Sequence, residues 1–174
     1  YVLTYDDVLN QQREVIYKQR RDVLEGKDLG GMIREWIGSV MEEKVLSYLD
    51  HDTDTYNYDA LLSSVVGAVL HNAYTEEQIR AMDEQAIAKA AVECAMKLYA
   101  SREALWQSVN IDMREIERTL LLRSVDEKWM DHLDAMDELK NSIGLNAYAQ
   151  RNPVTEYRLV GADMFDNMIA DIKE

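Results

Sequence analysis

A chain of 174 residues with 47% hydrophobic content has enough apolar material for one substantial domain or two small ones. Seven Gly and a single Pro are too few for the closely spaced turns of an all-β protein, so the class is all-α. Nineteen Lys and Arg against 33 Asp and Glu leave a formal charge of −14, a field that disfavours nucleic acid and anionic lipid as partners.

The first predicted helix begins near Tyr5. Val8, Leu9, Val15, Ile16 and Val23 keep a helical period, Gln12 and Gln19 share their face, and Asp6 and Asp7 suit the positive end of the helix dipole. Gly26 and the pair Gly30-Gly31 predict a stop and a linker. A second helix over Met32 to Leu49 carries Ile33, Trp36, Ile37, Val40, Met41, Val45 and Leu46, and runs into the polar stretch HDTDTYNYD. Tyr58 to Asn72 reads as one short apolar helix. Thr75 followed three residues later by Gln78 is a capping-box pattern, and another helix occupies Asp83 to Tyr99. Cys94 falls in that last segment and reads as a buried small hydrophobe; alone, it has no internal disulfide partner, which fits a reducing compartment.

From Ser108 to Gly144 nothing predicts an interruption, giving a rod of roughly 50 Å at ~1.5 Å per residue. Leu122, Val125, Trp129, His132, Met136, Leu139 and Ile143 form one seam in steps of three and four. His132 lies on that seam with no carboxylate three or four residues away, so it reads as an interior histidine rather than a metal ligand; Trp129 reads as core. The period breaks at Gly144, and Pro153 tolerates a helix only in its first turn, which predicts a chain reversal. Tyr157, Val160, Met164, Phe165, Met168, Ile169 and Ile172 then mark a returning helix. The result is a helical hairpin with Tyr148 at its tip.

No G-x-x-x-x-G-K-S/T loop and no nucleophile elbow occur, so no catalytic, cofactor-binding or metal-ligating residue is assigned. No stretch approaches the ~20 apolar residues of a membrane span, and a chain starting at Tyr1 without Met reads as an excised piece.

The run VDEKWMDHLDAMDELKNSIGLNAYAQRNPVTEY, Val125 to Tyr157, resembles the two-helix finger of SecA, the bacterial preprotein translocase motor. YDDVLNQQREVIYKQRRDVLEG, Tyr5 to Gly26, resembles the helical scaffold of the same family. The resemblance implies scaffold over residues 1–27 and 110–174 and an inserted helical wing over 28–109. It implies a fingertip in which Tyr148, with Leu145, Asn146, Ala147 and Gln150, touches the translocating polypeptide. It also implies that Trp129 helps anchor the scaffold to the motor. Partners implied are the parent's nucleotide-binding domains, unfolded preproteins and the membrane channel, at the cytoplasmic face of the cell membrane. ATP and magnesium would belong to motor domains N-terminal to Tyr1, and this segment would be no enzyme by itself. Family members often carry a cysteine-rich metal-binding tail, for which this sequence has no ligands. It also departs from common forms at Gly144 and Asn146, where His and Arg are frequent, so its tip loses positive charge. The rival readings from the residues are an autonomous adaptor that binds amphipathic helices, favoured if the reading frame began near Tyr1, and a metal-dependent helical-bundle enzyme.

Overall fold

The computed structural model describes residues 2–26, 28–50, 55–145 and 152–174. Its fold is all-α apart from one two-residue ribbon, and it divides into two compact units: residues 1–29 with 114–174, and residues 30–113.

In the first unit, Thr4 caps α1 (Tyr5–Leu24) in a reciprocal box with Asp7: the Asp7 amide donates to the Thr4 hydroxyl at 3.2 Å and the Thr4 amide to the Asp7 carboxylate at 2.8 Å. Gly26 ends it with φ 71°, the left-handed region that a residue lacking Cβ enters without strain. Arg118, on α7 (Met113–Leu145), donates Nε to the Val23 carbonyl at 3.2 Å, adding a cation at the negative end of the helix to a carbonyl that also accepts from the Gly26 amide at 3.3 Å. The third member is α8 (Pro153–Lys173). Numbers fall on α7 as they rise on α8, His132 meeting Phe165 and Met136 meeting Gly161, so the two form the expected antiparallel hairpin. Both pack on α1.

The seam differs from the sequence expectation in detail. Leu121 is buried and Leu122 only partly so, because the stripe continues back by steps of four to Glu117, whose carboxylate lies 3.1 Å from Arg114 Nε. On α8, Val160 is exposed and Gly161 takes the buried position. On α1, Val15 and Gln19 face outward while Gln12 is buried.

The second unit contains α2 (Leu29–Tyr48), the antiparallel pair β1 (Leu49–Asp50) and β2 (Thr55–Tyr56), α3 (Tyr58–Ser63), α4 (Val65–Leu70), α5 (Glu76–Arg80) and α6 (Glu84–Ser108). Val45, Leu49, Leu61, Val66, Leu70, Ile79, Ile87 and Ala91 form its core. Alanines at 88, 90, 91 and 95 bring α6 close to its neighbours.

Three expectations are overturned here. Gly30-Gly31 is no linker: both residues lie in the first turn of α2, where few helical hydrogen bonds depend on them. Tyr58 to Asn72 is two helices, because Ser64 is extended (φ −87°, ψ 177°) and recaps the chain, its hydroxyl accepting from the Val66 amide at 3.1 Å and donating to the Leu61 carbonyl at 2.6 Å. The rod does not run unbroken from Ser108: α6 ends there, Asn110 enters the left-handed region at φ 59°, and the Ile111 and Asn110 amides bond back to the carbonyls of Trp106 and Gln107. That double return is a Schellman stop, with Asn in place of the usual Gly. The Thr75–Gln78 capping box is present, though the helix it opens has only five residues.

Candidate functional site

The hairpin tip lies between the end of α7 and the start of α8. Of the five residues expected there, Leu145 is described: it closes α7 and is 82% exposed. Asn146, Ala147, Tyr148 and Gln150 lie outside the described residues. A Cβ added at Gly144 would meet nothing within 4 Å among the described residues, while Ile143 beside it is buried. On the return side Asn152 caps α8, its side chain accepting from the Val154 amide at 3.2 Å, with Pro153 at the first helical position where its missing N–H costs no bond.

An aromatic cluster joins the facing ends of α7 and α8 to α1. Tyr157 is fully buried, and the Tyr5 ring meets it edge-on with centroids 4.9 Å apart. Lys140 Nζ lies 5.0 Å from the Tyr5 centroid, a cation over the same ring. Val8, Met136 and Ile143 complete the cluster, so each of the three helices contributes. Burial pushes the Tyr157 phenol above its ordinary pKa, and Asp137 and Asp6 push it further.

One layer deeper the core turns polar. The Gln12 side chain, 8% exposed, donates Nε2 to the Gly161 carbonyl at 3.1 Å. Its Oε1 therefore faces His132 Nε2 at 2.7 Å, and since an amide oxygen only accepts, the imidazole must carry its proton on Nε2. Trp129 and Phe165 flank the His132 ring at 5.5 and 5.7 Å between centroids. Burial lowers the His132 pKa and favours the neutral ring. Gly161 sits so close to Met136 that an added Cβ would lie 2.6 Å from its Cε.

His132 is the interior histidine its seam position predicts, and Trp129 is core within its own unit. The role of Gln12 was missed; the available signal was an amide in the middle of an apolar face. Among the described residues no group of three or more His, Cys, Asp or Glu is placed to hold a metal, and no helix is long and apolar enough to cross a membrane. Cys94 is buried, and desolvation raises its thiol pKa.

The sequence matches a known family over its whole length. A model described as the SecA wing and scaffold domain covers residues 1–174. The chain belongs to the SecA family. It is 45% identical over 177 residues to the protein translocase subunit SecA of Desulforamulus reducens, covering 100% of this chain and 20% of that protein. It is 43% identical to the SecA of Pelotomaculum thermopropionicum, again covering 100% of this chain and 20% of the relative, and 42% identical to that of Clostridium perfringens, covering 99% and 21%. The chain thus spans about a fifth of the length of these SecA relatives.

Proposed function

We propose that this segment is the helical scaffold, two-helix finger and wing of an ATP-driven preprotein translocase. Residues 1–27 and 110–174 act as scaffold and finger, and residues 28–109 as the wing. Nucleotide-driven movement in the rest of the protein is passed along α7 to the tip, where Tyr148, assisted by Leu145, Asn146, Ala147 and Gln150, touches the passing polypeptide. A tyrosine suits the task because its flat amphipathic ring can lie on any side chain and hydrogen-bond a peptide group without selecting sequence.

The observation that carries this reading is the α7–α8 hairpin: a helix of 33 residues footed on α1 by Tyr5 and Tyr157, ending in an apolar residue held out to solvent at Leu145. Long and braced on α1, it has the form of a lever. The partners are the motor's nucleotide-binding domains, unfolded secretory chains and the membrane channel, engaged from the cytoplasmic face. ATP and magnesium belong outside this segment, which has no phosphate-cradling glycine loop, and hydrolysis is an activity of the complete protein.

The test is Tyr148→Ala in the complete translocase. Preprotein delivery into membrane vesicles should slow while basal ATP hydrolysis persists, since the nucleotide site lies in another domain. Delivery at the unaltered rate would remove Tyr148 from the mechanism.

A further inference from the structure

Gln12 is an expensive way to fill a core. A methionine would occupy the same space without an amide to desolvate, and a buried amide is tolerated only when its hydrogen bonds are met. Here one N–H and the oxygen are met, and by different helices: the N–H goes to the Gly161 carbonyl on α8 at 3.1 Å, and the oxygen accepts from His132 on α7 at 2.7 Å. Apolar seams can slip by small steps with little loss, whereas hydrogen bonds weaken steeply with angle and distance. One amide bonded to two helices therefore fixes their register against a third. Gly161 adds to this, because the absence of Cβ lets Met136 of α7 seat directly on α8.

We infer that Gln12 is a positioning residue that latches both arms of the hairpin to α1, α7 through His132 and α8 through Gly161, so that movement of the scaffold carries the tip instead of sliding past it. This rests on the finger reading above. Without the latch the helices still pack, but displacement is lost between α1 and the tip, and ATP is spent without advancing the chain.

The experiment compares the complete translocase with its Gln12→Met, His132→Gln and Tyr148→Ala variants, reading ATP hydrolysed per preprotein delivered, at a temperature where melting curves show each variant folded. Gln12→Met should raise that ratio at least about threefold, within the span by which residues remote from a ligand alter coupling. His132→Gln keeps an N–H donor at the Nε2 position and should stay within about twofold of the unaltered protein. If Gln12→Met melts too low, Gln12→Glu, of equal size but without the amide donor, is read in the same way. Hydrogen exchange on the 174-residue chain gives an independent readout: in Gln12→Met, the α7 and α8 amides around His132 and Gly161 should exchange faster relative to those of α1. An unchanged ATP ratio, or acceleration spread evenly over all three helices, would overturn the latch. Tyr148→Ala separates the two readings: slow delivery by it beside normal coupling in Gln12→Met leaves the fingertip standing and the latch refuted, while normal delivery by Tyr148→Ala refutes the fingertip and the latch's part in moving it.

Discussion

Trp129 and His132 lie one turn apart on α7, and their energetics differ in kind. Trp129 is 6% exposed, so Trp129→Ala removes a large apolar surface and leaves a cavity that only partly collapses. A loss of about 3–5 kcal/mol is expected, read as a fall in the chemical-denaturation midpoint. An unchanged midpoint would mean that the indole is not held by its own unit. His132 acts through protonation. Its folded pKa is lowered by burial, so below the ordinary value of 6.5 the unfolded chain takes up a proton that the fold excludes. Stability therefore falls as pH drops through 6.5, by at most about 1.4 kcal/mol per pH unit for this one group, until the folded ring also titrates. Denaturation at pH 7.5 and pH 6.0 should show this loss in the unaltered chain and a smaller one in His132→Gln; equal losses would place the titration elsewhere. At this scale the sequence was only half informative. A histidine in step with Val125 and Met136 has to be interior, but Gln12 and Gln19 look alike from α1 alone, and only the arrival of α7 and α8 on one side separates the buried amide from the exposed one.

At the scale of elements, termini were the weak point, for reasons that lie in side chains too small to alter an apolar period. Ser64 divides a predicted helix because its hydroxyl closes α3 and opens α4 at once. The fold then brings Gly67 so close to the end of α3 that an added Cβ would lie 2.1 Å from the Leu62 carbonyl oxygen. That neighbour is backbone and cannot swing away. Gly67→Ala should cost on the order of 4 kcal/mol or more, well beyond an ordinary substitution. Thermal melting of the chain checks it, and a shift of only a degree or two would show that α3 and α4 part easily. Asn110 is the other case: its left-handed backbone ends α6, yet in sequence Val109 and Ile111 continue the apolar pattern on either side. The helices themselves were legible, because stripes of 20 residues or more outweigh any local propensity. The ribbon joining Leu49 to Tyr56 was not, since two residues per strand carry no period.

At the scale of the whole molecule, each unit has a core of its own. Every residue in the cluster around Leu61, Leu70 and Ile87 lies within residues 30–113, and every residue in the cluster around Tyr157 and Met136 lies outside that range. A continuous segment with its own core should fold alone. Residues 30–113 expressed by themselves are expected to give a helical spectrum and a cooperative melt; a non-cooperative melt would show that the insertion depends on its host. By itself the sequence determined the all-α class, the hairpin and the family, since each rests on long periodic stretches or on runs of matching residues that need no knowledge of what they touch. Tertiary structure decided which member of each stripe is buried, where Ser64 and Asn110 cut the helices, and that Gln12 joins three of them. The burial pattern and the Gln12 junction depend on atoms brought together from distant positions, as when Gln12 meets His132 and Gly161 more than a hundred residues away, while the breaks at Ser64 and Asn110 rest on short-range hydrogen bonds that an apolar period does not register.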